Sequence, residues 1–192
     1  AHVLFGDRNR DAAELTFDSR SGPLTVRRVA GERIELNFPA TPPTESFDPE
    51  LARMLTAALG VEPAWIGRNR FDKIVLLIEP ATVRSLRPDL ARLAEIPSRG
   101  VIVTAKGDND CDFISRFFAP QSGVPEDPVT GSAHCALLPF WAERLGKREL
   151  HARQVSARSG ELWCTLDGDR VKIAGRAVTY LQGSITLPDA SE

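Results

Sequence analysis

Apolar positions recur along the chain with two different periods, and each change of period marks a change of element. Short or alternating apolar runs predict strands over 15–17, 24–29 and 33–38. Leu24-Thr25-Val26 and Ile34-Glu35-Leu36 flank Ala30-Gly31-Glu32, the pattern of a hairpin. After a Pro-rich stretch over 39–44 the period lengthens. Leu51, Met54, Leu55, Ala58 and Leu59 fall at i, i+3, i+4, i+7 and i+8, which is one buried face of a helix. Asp48 can cap that helix, Pro49 suits its first turn and Gly60 closes it. Strands are expected over 65–66, 73–79 and 101–105. A short helix over 88–96, with Leu90, Leu93 and Ala94 as its apolar face, separates the last two. A strand over 112–118 then leads into a loop over 119–129.

Residues 130–146 follow neither pattern. They open on Gly131-Ser132-Ala133, run almost wholly apolar from Ala136 to Ala142, and close at Leu145-Gly146. A helix that is apolar nearly all round is a buried one. Pro139 inside it should remove an internal hydrogen bond and kink the axis. Strands are expected again over 162–166 and 171–174, joined by a turn at Asp167-Gly168-Asp169, and over 177–187 with a break near Gly183.

Two stretches echo each other. Arg20-Ser21-Gly22-Pro23-Leu24-Thr25-Val26 runs on to Gly31-Glu32-Arg33-Ile34-Glu35-Leu36. Arg158-Ser159-Gly160-Glu161-Leu162-Trp163-Cys164 runs on to Gly168-Asp169-Arg170-Val171-Lys172-Ile173. Either two hairpins share a composition, or one unit occurs twice. In the second case Phe5-Gly6 answers to Leu145-Gly146, and Ala1 to Phe5 is the last turn of a buried helix whose beginning lies upstream. Five residues do not hold a helix alone, and the chain opens without Met. The expected organisation is a remnant of an N-terminal domain over 1–38 and a C-terminal domain over 39–192, divided at the Pro-rich stretch.

Composition narrows the function classes. The 192 residues are 42% hydrophobic and 26% charged, the balance of a globular chain. A net charge of -2 gives no general pull toward nucleic acid or anionic membrane. No apolar run approaches the roughly 20 residues of a membrane span, and the opening Ala1-His2-Val3-Leu4-Phe5 does not suggest a signal peptide. Cys111, Cys135 and Cys164 are odd in number and widely spaced, with no CxxC pair. They read as reduced thiols of a cytoplasmic protein, and no disulfide framework or metal site is expected.

The chemistry concentrates in Glu126-Asp127-Pro128-Val129-Thr130-Gly131-Ser132-Ala133-His134. Two acids and a hydroxyl run into a helix start, where unpaired N–H groups and the positive end of the helix dipole favour a carboxylate or phosphate. Gly131 and Ala133 allow close approach, Ser132 can add a hydroxyl donor, and Asp127 can hold a ligand group or assist a proton transfer. The same residues also fit simple capping, with Thr130 or Ser132 as N-cap and Asp127 in a turn. From residue types alone the two readings stand level.

The segment from Glu126 to His134, preceded by Ser115-Arg116-Phe117-Phe118-Ala119-Pro120, resembles the second-half signature of PhzF-like (phenazine biosynthesis) proteins. Asn37-Phe38-Pro39-Ala40 resembles that family's entry into its second domain, and Ala1 to Phe5 the end of its first-half helix. The resemblance implies an α+β, diaminopimelate-epimerase-like fold of two similar domains. Each has a mixed β-sheet wrapped around a central helix, and the first is incomplete in this chain. It implies a cofactor-independent isomerase acting by proton transfer on a small carboxylate-bearing compound.

 That substrate class extends to amino-acid-like acids. Asp127 would contact the substrate and help move the proton, and Thr130, Gly131, Ser132 and Ala133 would form the carboxylate-binding helix start.

Two features of the family pattern have no counterpart here: the principal acid/base glutamate and the Gly-His pair of the first half. Glu14, Glu32, Glu35 and Glu45 do not stand in the right context to replace that glutamate. His134, two residues past Ser132, either reaches the cleft or packs against neighbouring strands. In the racemases of this fold a thiol would fall at Thr130, which cannot act as an acid near pH 7, so Cys135 reads as a core residue. Three function classes remain: the isomerase, a non-catalytic relative that binds a small anion or a protein partner, and an amino-acid racemase or epimerase. The expected assembly is a homodimer, with no nucleic-acid or membrane partner.

Overall fold

The computed structural model describes residues 1–8, 11–19, 22–108 and 110–186. Its architecture is α+β. Strands β1 (Glu14–Phe17), β2 (Leu24–Val29) and β3 (Arg33–Pro39) form an antiparallel meander. They are followed by β4 (Thr44–Glu45), helix α1 (Pro49–Leu59), β5 (Trp65–Arg68) and β6 (Asp72–Leu76). Helices α2 (Pro80–Ser85) and α3 (Leu90–Ala94) lead to β7 (Gly100–Lys106), β8 (Phe113–Ala119) and the short β9 (Val124–Asp127). The long helix α4 (Gly131–Leu145) precedes a second meander of β10 (Glu149–Gln154), β11 (Gly160–Asp167) and β12 (Arg170–Gly175). The strands join in the order β1-β2-β3-β12-β11-β10-β8-β7-β6-β5-β4, with β9 alongside β8.

The central strands are covered on both faces, so their side chains alternate between two cores. Ile102, Phe113 and Phe117 point to α4, where Ala136, Leu137, Leu138 and Phe140 meet side chains from strands between β3 and β5 in the sheet order. Val101, Val103, Ile114 and Phe118 point the other way, against Leu55 and Leu59 of α1 and Leu93 of α3. Because β6 and β7 are parallel, a crossover must join them, and α2 and α3 supply it. α4 is buried nearly all round, as its composition requires, with Pro139 inside it and Gly146 closing it in the left-handed conformation (φ 64°). Trp141 is kept in the core by a hydrogen bond from Nε1 to Thr104 Oγ1 (3.0 Å).

The echo in the sequence corresponds to two like meanders, β1-β2-β3 and β10-β11-β12. Val26 faces Leu36 in the first, and Cys164 faces Ile173 in the second. The two meanders join edge to edge through β3 and β12, where Leu36 pairs with Ile173, its own counterpart in the repeat. That register places a local two-fold relation at this pair. A helical turn over 2–8 precedes β1 as α4 precedes β10, with Phe5 buried in it. Arg20 and Ser21, the start of the first echo, lie outside the described residues.

The structure differs from the sequence expectation in five places. The strand expected over 73–79 stops at Leu76, because Pro80 opens α2, a helix too short to show a period. The helix expected over 88–96 contracts to α3, capped by Asp89. It buries Leu93, with Ile96 just beyond it, while Leu90 and Ala94 are exposed. The loop expected over 119–129 contains β9 and a short helical turn, Pro120–Ser122. Strand β10 was not expected at all, since its inward face is short and ends on the polar Gln154. Finally, residues 177–186 form no strand, and Tyr180 is 98% exposed. Alternation states only a preference, and no neighbouring strand pairs with this stretch among the described residues. Leu187, the end of that expectation, lies outside the described residues.

Candidate active site

The stretch from Glu126 to Thr130 crosses from β9 into α4, and the fold holds it at successive residues. Glu126 is gripped by Arg116 of β8 through two hydrogen bonds, Nε to Oε1 (2.7 Å) and Nη2 to Oε2 (2.8 Å). Arg116 is itself buried and donates from Nη1 to the carbonyl of Leu86 (2.7 Å). The carbonyl of Asp127 accepts from Gln154 Nε2 (2.6 Å), and that of Pro128 accepts from Ser156 Oγ (2.9 Å). Val129 packs over Gly160, where an added Cβ would lie 2.3 Å from Val129 Cγ2, so no larger residue fits without displacing the loop. The backbone N–H of Thr130 donates to Gln154 Oε1 (2.8 Å). Gln154 therefore reads both sides of the loop, and it is wholly buried.

These contacts fix the chemistry-bearing groups. Thr130 occupies the N-cap position of α4, but its hydroxyl makes no cap. It donates instead to the Asp127 carboxylate and accepts from Gln154 Nε2 (3.1 Å). The capping alternative is thus not the arrangement found at Thr130. The first turn of α4 is left without a side-chain cap, and it begins beside the half-buried Asp127 carboxylate; unpaired N–H groups and the helix dipole favour an anion at such a start. Ser132 is exposed there, Gly131 is half-buried beside Phe38, and Ala133 is buried. Asp127, Thr130, Gly131 and Ser132 are thereby gathered at one helix start, where a carboxylate could be bound and a proton passed.

His134 stands apart. It is fully buried, with its ring centroid 5.8 Å from that of Phe113. A carbonyl only accepts, so the neutral ring carries its proton on Nδ1 and donates it to Thr130 O (2.8 Å). Burial, opposed only by that hydrogen bond, pulls its pKa from 6.5 down to about 4. The folded state therefore refuses a proton that the unfolded chain accepts. The stability linked to this depressed pKa is complete above pH 6.5 and is lost as pH falls through about 4. Wild type should lose about 3 kcal/mol more than His134→Gln between pH 7.5 and pH 4. Urea unfolding of both proteins at the two pH values checks this, and equal losses would contradict it.

The thiols are unsuited to acid–base work. Burial pushes Cys135 up to about 11 and raises Cys164 further still, and the Cys135 thiol rests 3.5 Å from the carbonyl of Gly131. Among the described residues no three His, Cys, Asp or Glu side chains converge to hold a metal ion, and no helix is long and apolar enough to cross a membrane. Reading the sequence missed Gln154 and Ser156. The alternation Leu150, Ala152, Gln154 was the available signal, since it puts an amide on the core face of a strand, where a polar group needs a partner.

Comparison with known proteins agrees with the motif. The family described as phenazine biosynthesis-like protein matches residues 1–183. An uncharacterized isomerase of Pseudomonas aeruginosa is 52% identical over 187 residues, covering 97% of this chain and 70% of the relative. A crystal structure of a phenazine biosynthesis PhzF family protein from Enterococcus faecalis superposes with a TM-score of 0.89 at 38% identity, again over 97% of this chain and 70% of that one. A protein described as a putative phenazine biosynthesis PhzC/PhzF protein, from Clostridium difficile, gives 0.87 at 36% identity with the same coverage.

Proposed function

The chain belongs to the phenazine biosynthesis-like protein family, and on that premise we propose that it serves a cofactor-independent isomerase that moves a proton on a small carboxylate-bearing substrate. The supporting observation is the uncapped start of α4 with the Asp127 carboxylate held beside it. In this reading the substrate carboxylate sits on the N–H groups of Gly131, Ser132 and Ala133, with the Ser132 hydroxyl as a further donor. Negative charge that develops next to the carboxylate during proton removal is stabilised by the same N–H groups. Asp127 orients the substrate and takes part in the transfer, while Thr130 holds it in one rotamer. The relatives named as isomerases support the reaction class.

The principal acid/base is assigned to a glutamate in the part of such proteins that this chain does not match, about 30% of the relative's length by the coverage above. The test uses the full-length product of the gene in D2O with a panel of small carboxylic and amino acids. Deuterium should enter a C–H bond of at least one of them, detected by NMR. Exchange no faster than in buffer across the panel would sink the isomerase reading. The intact mass of that product should exceed 21.0 kDa. A mass of 21.0 kDa would leave the glutamate without a place.

A further inference from the structure

A groove of about 540 Å³ lies between the segment after β3 and the β5–β6 hairpin, and none of Asp127, Thr130, Gly131 or Ser132 lines it. Three cations do: Arg68, Arg70 and Lys73, together with Thr41, Thr44 and Asn69. Arg68 and Lys73 are direct cross-strand partners, so the hairpin sets one positive charge opposite another. Such like-charged pairs destabilise a sheet.

The neighbouring acids do not relieve them. Asp72 is buried and bound by Arg99, with Nε to Oδ1 at 2.9 Å, and Glu45 lines a different groove with Trp65 and Phe140. Some cations elsewhere meet acids, as in Arg27–Glu35, Arg84–Asp108 and Arg153–Glu161, and others, such as Arg28, Arg33 and Arg170, donate to backbone carbonyls. Among the described residues Arg68, Arg70 and Lys73 form no ion pair. The hairpin turn is also fixed. Asn69 Oδ1 accepts from the N–H groups of Phe71 and Asp72, both at 2.8 Å, and the Arg70 guanidinium lies 5.2 Å from the centre of the Phe71 ring.

We propose that this groove is a binding site for a phosphate group, free or carried on a small molecule. Two guanidinium forks and an ammonium match the several oxygens and the charge of phosphate, and the Thr41 hydroxyl, which accepts from Asn69 Nδ2 but donates to no described group, adds an uncharged donor, whereas that of Thr44 donates to the Arg68 carbonyl. Occupancy would turn the Arg68–Lys73 repulsion into shared attraction. The site is separate from the helix start of α4 and does not depend on the isomerase reading.

The test titrates the full-length gene product with inorganic phosphate and with glycerol phosphate at constant ionic strength, using chloride as the balancing salt and citrate as a comparison. Amide NMR shifts should saturate and centre on Thr44 and on residues 68–73. Arg68→Gln and Lys73→Gln should each weaken binding about tenfold or more, the effect of losing one charge-assisted hydrogen bond. In chloride alone Lys73→Gln should melt no lower than wild type, because it removes a repulsion. At one phosphate concentration the melting temperature of wild type should rise further than that of either variant. Shifts that grow without saturating, or that persist unchanged in both variants, would overturn the site. Citrate binding as tightly as phosphate would overturn the phosphate assignment.

Discussion

Asp127→Asn in the full-length gene product is expected to fold as wild type does and to lose proton exchange by about 10²- to 10⁴-fold, the usual contribution of a positioned acid or base. Asn keeps the size of Asp, and its Oδ1 can still accept from the Thr130 hydroxyl, so the loop contacts at Glu126, Pro128 and Thr130 have no reason to change. What it loses is the negative charge and the capacity to carry a proton. Rates of deuterium incorporation, measured against substrate concentration for both proteins, separate the possible roles. A fall in kcat places Asp127 in the proton transfer. A rise in KM alone makes it a binding group. Unchanged kinetics would remove it from the mechanism.

The second large effect is on stability. Glu126→Ala should cost about 3 kcal/mol, because it leaves the buried Arg116 guanidinium with carbonyl partners but no counter-charge. The Glu126 side chain is 23% exposed, so water can partly replace it, which puts the cost at the low end of the range for a broken buried pair. The corresponding fall in melting temperature is about 6–12 °C for a chain of this size. Replacing both partners, as Arg116→Met with Glu126→Leu, should cost less than the single change, since no charge is stranded. Urea unfolding of the three proteins checks the order. A single variant within 1 kcal/mol of wild type would show that the pair does not hold the loop.

The legible parts of this protein are those whose determinants lie close together in the chain. Asp48, Pro49 and Gly60 bound α1 because a cap acts within one turn. The Asp48 carboxylate accepts from the N–H of Glu50 at 3.0 Å. The apolar stretch from Ala136 to Ala142 could only be buried, and it is the helix about which the larger core forms. The echo between the two hairpins could be read from residue order, and so could the family signature at Glu126 to His134.

What holds that signature in place could not be read in the same way. Gln154 reaches Thr130 across 24 positions, Ser156 reaches Pro128 across 28, and Arg116 reaches Leu86 across 30. A buried amide or guanidinium needs a partner, but the sequence does not say which strand will bring it. The same limit hid β10, whose partners β8 and β11 define it, and it produced an expected strand over 177–187, which finds no neighbour over 177–186 among the described residues. His134 shows the division within one residue. Its place in the first turns of α4 followed from the sequence, whereas its burial against Phe113 depended on how the sheet closes over the helix. By itself the sequence determined the local elements, the repeat and the motif, because periodicity, caps and turns act over a few residues. Only the tertiary structure decided the edge-to-edge joining of β3 with β12 and the clamp on the Asp127 loop, because both depend on which distant strands become neighbours.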